Sequence, residues 1–206
     1  HAINCLETKA KHEQWLPGET ISAAIGQGYV TVTPLQMASL VGTVANNGVI
    51  YRPRLVQAVM DRTSGNLQEL PAVPRGKINA KPETFRVIKD ALADVVTKGT
   101  ATRAKSSMVT IGGKTGTAQV AALRTGPEES IPKKFRDHAW FVAFAPVESP
   151  KIAVAVLGEH MGHGGAAAAP LAKEVIETYM KLAPQVPAVT SDLSGVNRSE
   201  RSAKDS

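Results

Sequence analysis

Two uninterrupted apolar runs mark the second half of the chain, Trp140-Phe141-Val142-Ala143-Phe144-Ala145 and Ile152-Ala153-Val154-Ala155-Val156-Leu157, with a turn over Pro146–Lys151 between them. A strand that is apolar at every position is buried on both faces. The pair therefore predicts a central sheet covered by helices rather than an open sandwich. Helical spacing appears three times. The first helix opens at Thr33-Pro34-Leu35-Gln36, where Thr33 suits the N-cap, Pro34 the first helical position and Gln36 a capping box. Leu35, Ala38, Val41, Val44 and Ala45 form its apolar face, and Asn47-Gly48 ends it. The second runs from about Glu83 to Thr97, with Phe85, Ile88, Leu92, Val95 and Val96 on one side and Gly99 as its stop. The third begins near Pro170 and carries Leu171, Val175, Ile176, Tyr179 and Met180 on one face.

Between these elements the pattern is weaker. Residues 1–20 are polar and irregular, and Ile25-Gly26-Gln27-Gly28 follows with two glycines suited to positive φ or close approach. Val49 to Met60 is strand-like, Asp61–Asn66 is a turn, and Leu67–Leu70 returns as a short hairpin arm. Residues 71–82 read as a proline-punctuated loop, 100–107 as a polar connection, 124–136 as a loop, and 158–165 as a flexible connection. From Pro184 onward the chain is polar and rich in Ser, Asp and Arg, which predicts a disordered tail over 184–206. Residues 1–183 then form one α/β (α+β) unit, a central antiparallel sheet flanked by helices.

Composition narrows the options. A chain of 206 residues with 43% hydrophobic and 20% charged residues can bury a sizeable core. Aromatics are only 4%, so that core is aliphatic. The net charge of +6 permits an anionic partner, but Lys and Arg are scattered without aromatic interleaving, so nucleic acid is not indicated. Cys5 is the single cysteine and no apolar run spans a bilayer. The start at His1 reads as a cut inside a longer protein.

The chemistry gathers on Ile111-Gly112-Gly113-Lys114-Thr115-Gly116-Thr117-Ala118-Gln119, a lysine and two hydroxyls on a run too glycine-rich for a stable helix. Its small residues leave room for another backbone, so we read an edge strand that receives an extended peptide, with Lys114 supplying charge. A phosphate-binding loop would need a glycine five positions before Gly113, where Met108 stands. A glycine-rich turn with a solvated lysine stays open on this stretch alone. His138, His160 and His163 fit no standard metal spacing and read as structural or solvent-facing, with His138 at a cleft rim.

Lys114-Thr115-Gly116-Thr117-Ala118-Gln119 resembles the third motif of the penicillin-binding transpeptidases, whose set is Ser-x-x-Lys, Ser-x-Asn and Lys-Thr-Gly. Gly18-Glu19-Thr20, Gly26-Gln27-Gly28, Val32–Gln36, Lys98-Gly99-Thr100-Ala101, His138–Pro146 and Ala169-Pro170 resemble the same family. Their order is most similar to the class B, monofunctional enzymes, in particular the penicillin-binding protein 2 branch of the rod-elongation system. The resemblance covers roughly residues 15–182. It implies the C-terminal part of a transpeptidase domain whose nucleophilic serine and Ser-x-Asn motif lie upstream of this chain. Ser130-Ile131-Pro132-Lys133 has the first spacing, but Pro132 spoils the helix it needs; Ser64-Gly65-Asn66 has the second, in a hairpin turn.

The implied activity is acyl transfer from D-Ala-D-Ala stem peptides of peptidoglycan, with β-lactams as mimics. Lys114 and the Thr115 and Thr117 hydroxyls would meet the donor carboxylate, and Gly113 to Thr117 would pair with the peptide. The Thr117 N–H would supply half an oxyanion hole, and Lys114 would assist proton transfer. No metal or organic cofactor is implied. The implied partners are the missing upstream segment and a membrane glycosyltransferase of the elongation machinery. The implied location is the outer face of the cytoplasmic membrane, by an N-terminal anchor outside this chain. A serine β-lactamase or carboxypeptidase, a β-lactam sensor and a catalytically dead binding module are the alternatives.

Overall fold

A computed structural model describes residues 16–28, 30–120 and 131–182. The expected tail, the first fifteen residues with Cys5, and 121–130 with the first part of the expected 124–136 loop lie outside the described residues.

The elements follow from local signals. Helix α1 (Pro17–Ala24) occupies part of what reads as an irregular opening. Its first turn is held by Glu19, whose carboxylate accepts the Leu16 N–H at 2.8 Å. It ends in a Schellman turn: Gly26 N–H donates to Ala23 C=O and Gln27 N–H to Ser22 C=O at 2.9 Å, with Gly26 at φ 75°. Helix α2 (Pro34–Ala45) is capped as its sequence predicts, since the Thr33 hydroxyl accepts Gln36 N–H at 3.2 Å and Gln36 Oε1 accepts Thr33 N–H at 2.8 Å. Asn47 and Gly48 close it with the same Schellman geometry.

The stretch from Val49 to Met60 divides. Strand β1 (Val49–Tyr51) pairs with β4 (Pro74–Lys77), and β2 (Ala58–Met60) forms a hairpin with β3 (Leu67–Glu69). Residues 74–77 read as loop because proline opens them. Pro74 stands at the first strand position, where its missing N–H is tolerated. Helix α3 (Pro82–Thr97) buries Phe85 and Val96, but its Ile88 is exposed.

The third sheet carries the core, in the order β5 (Gly112–Ala118), β6 (His138–Ala145), β7 (Ile152–Gly158), antiparallel throughout. Apolar β6 is central and covered on both faces, as its run of apolar residues predicts. On one face Ala139, Phe141, Ala143 and Ala145 pack with α3's Val96 and with helix α4 (Gly164–Leu182). On the other, Phe144 packs with Val41 and Ala45 of α2.

Helix α4 departs most from its sequence pattern. It begins at Gly164, six residues ahead of Pro170, which lies inside it. Its buried side is Ala168, Ala169, Ala172 and Ile176; of the predicted face Ile176 is buried and Met180 packs on the core, whereas Leu171, Val175 and Tyr179 are exposed. Alanines at the contact let the helix axis approach the sheet closely. The approach is tightest at the start: a Cβ on Gly164 would lie 2.1 Å from the Trp140 carbonyl oxygen, and one on Gly165 would lie 2.2 Å from that of Thr100. Pro170 has no N–H to give the Ala166 carbonyl one turn back. Arg103 donates to that carbonyl instead, at 3.2 Å, from the short 3-10 turn Thr102–Ala104 inside the expected polar connection. Ala101 and Ala104 of this segment are fully buried under α4.

Two outcomes follow from this packing. Gly164→Ala is expected to destabilise the folded protein by about 3 kcal/mol in urea unfolding, because its new methyl meets backbone rather than a movable side chain. Arg103→Ala is expected to cost about 1 kcal/mol. In the Pro170→Ala background, where residue 170 regains its N–H, the same change is expected to cost markedly less; a double-mutant cycle reads the coupling.

Candidate active site

Strand β5 is at the edge of its sheet, and its residues alternate between two faces. Gly113 turns toward α4, where a Cβ would lie 2.6 Å from Phe141 Cζ; Gly112 turns the other way, where one would lie 2.9 Å from Phe144 Cζ. The glycines thus make room for the two core phenylalanines, not for an incoming backbone as the sequence suggests. Thr115 shares the α4 face, its Cγ2 being 3.5 Å from where a Gly165 Cβ would stand. By alternation Thr117 shares it too, and Lys114 lies on the opposite face.

Each candidate side chain is placed by a specific contact. The Thr115 and Thr100 hydroxyls are hydrogen-bonded at 2.9 Å, so the turn after α3 fixes the first threonine. Lys114 is exposed, and its Nζ donates to the Thr115 carbonyl at 2.9 Å. Gln27 Nε2 donates to the Thr117 carbonyl at 2.9 Å, and Gln27 Oε1 accepts the Gln119 N–H at 3.4 Å. β6 occupies the inner edge of β5, so Gln27 binds the outer one. In an antiparallel ladder the N–H and C=O of one residue point the same way. The backbone groups of Gly113, Thr115 and Thr117 therefore face outward, while those of Gly112, Lys114 and Gly116 pair with β6.

Beside this edge, at the start of α4, is an open cleft of about 400 Å³ lined by Thr100, Thr102, Arg103, Thr115, Thr117 and His163. His138 and His160 are engaged elsewhere. The His160 N–H donates to His138 Nδ1 at 3.0 Å, and the rings meet edge-on with centroids 4.7 Å apart. His160 Nδ1 lies 3.0 Å from the Arg136 carbonyl. The pair ties the end of β7 to the approach to β6, a structural role. Among the described residues no group of three His, Cys, Asp or Glu side chains is placed to hold a metal.

The look-alike motifs separate from the site. Ser64-Gly65-Asn66 is the turn of the β2–β3 hairpin, on a different sheet. There the Asp61 carboxylate accepts N–H groups from Thr63 and Ser64, and the Ser64 and Thr63 backbone bonds hold its carboxyl below the usual value. Ser130 lies outside the described residues, and Lys133 begins a 3-10 turn after extended Pro132 rather than continuing an α-helix. The roles of Gln27, Thr100 and Gly164-Gly165 were not read from sequence. The first two lie in short motifs that carry the family resemblance, but nothing in those motifs says which strand they touch.

Comparison with known proteins gives a consistent answer. Residues 5–177 match the family model of the penicillin binding protein transpeptidase domain. The peptidoglycan D,D-transpeptidase MrdA of Acinetobacter baumannii is 37% identical over 177 residues, 84% of this chain and 26% of that protein. The chain thus spans about a quarter of the length of this curated relative. Among solved structures, penicillin-binding protein A from M. tuberculosis, as a ceftriaxone acyl-enzyme, superposes with a TM-score of 0.62 at 32% identity, over 76% of this chain and 34% of that one. Penicillin-binding protein 2 from Helicobacter pylori, in complex with MreC, does so with a TM-score of 0.66 at 28% identity, over 85% and 30%.

Proposed function

The chain belongs to the family of penicillin-binding protein transpeptidase domains, and we propose from that premise that it supplies the peptide-binding edge of a serine-type D-Ala-D-Ala transpeptidase that cross-links peptidoglycan. The observation that carries this is the outer edge of β5, where Lys114 and Thr117 flank outward-facing backbone groups. An extended stem peptide would add to that edge as a strand. Lys114 on one face and the Thr115 and Thr117 hydroxyls on the other would hold its terminal carboxylate by charge-assisted hydrogen bonds.

In this reading a serine on a segment upstream of residue 1 attacks the carbonyl of the penultimate D-Ala. A lysine one helical turn beyond that serine takes its proton as base. The Thr117 N–H and the serine's own N–H bind the developing oxyanion. The terminal D-Ala leaves, and an amine of a neighbouring stem peptide takes the acyl group, forming the cross-link and freeing the serine. Lys114 assists proton transfer through the Ser-x-Asn hydroxyl. β-Lactams carry a carbonyl and carboxylate in the same relation and would acylate the same serine. The ceftriaxone acyl-enzyme of the M. tuberculosis relative supports this chemistry.

The same likeness supports a setting on the outer face of the cytoplasmic membrane, with a membrane glycosyltransferase as partner and an MreC-like protein as a second. Among the described residues no helix is long and apolar enough to cross a membrane. Fluorescent penicillin should label the full-length protein covalently, and Lys114→Ala should lower its acylation rate by about 10²–10³-fold, the scale for losing one transition-state contact. A folded full-length protein that takes no label would overturn the reading.

A further inference from the structure

We propose that Gln27 is a positioning residue that ends the peptide-accepting edge of β5 at Thr117 and fixes the orientation of the Thr117 N–H. The inference rests on the transpeptidase reading for its catalytic part, but its structural part stands on contacts alone. A primary amide presents one carbonyl and one NH₂, the same donor and acceptor as a peptide group. Gln27 uses both on a single strand edge, donating to the Thr117 carbonyl at 2.9 Å and accepting from the Gln119 N–H at 3.4 Å. It thus stands where the backbone of a neighbouring strand would stand. An added peptide can pair with the outward groups of Gly113 and Thr115 and with the Thr117 N–H, and can go no further.

The support behind Gln27 is the turn that carries it. Its own N–H is fixed to Ser22 C=O by the Schellman turn that ends α1, between Gly26 at φ 75° and Gly28 at φ 78°. Its bond to the Thr117 carbonyl is part-buried, whereas the longer bond from the Gln119 N–H is exposed. Holding the Thr117 carbonyl on the outer edge constrains the peptide plane after Thr117, while pairing with β6 constrains the planes before it. The Thr117 N–H lies in the plane before the residue and its carbonyl in the plane after, so β6 and Gln27 together hold both groups of Thr117 on the outer edge, which an oxyanion donor requires before the reaction begins. Gln27 and Thr117 are 90 residues apart in sequence, so the turn that ends α1 helps aim the third motif.

The experiment uses the full-length protein and two variants, Gln27→Ala and Gln27→Glu, with two readouts. Hydrogen exchange is followed at the Gln119 amide, and acylation by fluorescent penicillin is resolved into an initial binding constant and an acylation rate constant. Gln27→Ala should exchange Gln119 about tenfold faster. It should acylate about tenfold more slowly through the rate constant, with initial binding little changed, because a displaced donor weakens the transition state more than the encounter. Gln27→Glu keeps an acceptor for Gln119 but sets a carboxylate oxygen against the Thr117 carbonyl. It should preserve the exchange protection and still lose acylation, a split that general loosening of the fold would not produce. Unchanged exchange in Gln27→Ala overturns the proposal. So does unchanged acylation when the wild type labels. If the wild type takes no label, the transpeptidase reading falls and Gln119 exchange alone decides whether Gln27 holds this edge.

Discussion

The contact on which the site depends is the close approach of the α4 N-terminus to the backbone of β5, β6 and the turn after α3. Gly164 sits against the Trp140 carbonyl and Gly165 against that of Thr100. Thr100 in turn bonds the Thr115 hydroxyl. Side-chain-free packing of this kind leaves no compliant layer between helix and sheet. The position of one element sets the others within a fraction of an ångström. The alanines of α4 continue the close fit along Ala139, Phe141 and Ala143, and Arg103 binds the one carbonyl that Pro170 leaves without a partner in its helix.

Much of this was legible where the signal is local. Thr33, Pro34 and Gln36 specify a helix start within four residues, and their reciprocal hydrogen bonds are present. The apolar runs of β6 and β7 specify burial on two faces because no polar residue interrupts them. The third motif and the shorter strings around it identify the family, and the edge position of β5 agrees with the reading of its glycines and lysine as a strand.

What was not legible was set by tertiary contact. Gly164-Gly165 and four alanines have a poor or neutral amphipathic signal, and a proline six residues on looks like a helix start. Only the packed sheet makes that stretch helical from Gly164. The same packing turns the buried face of α4 toward its alanines, keeping Ile176 and Met180 of the expected face against the core and leaving Leu171 and Val175 outside. Pro74–Lys77 pairs as a strand because β1 offers a partner, not because its residues favour one. Gln27 acts across 90 positions through a side chain, a relation that no periodicity records.

The glycines of the third motif and of α4 also bear on how such a site can diversify. Gly112, Gly113, Gly164 and Gly165 have no volume to accept even one carbon, so mutational drift is closed to them while the fold is kept. New reach toward a different peptide or inhibitor must come instead from the side chains that leave the edge: Lys114, Thr115, Thr117 and, across the cleft, His163 and Arg103. The scaffold is the fixed part of the vocabulary, and a handful of exposed positions around it are where variation can be heard.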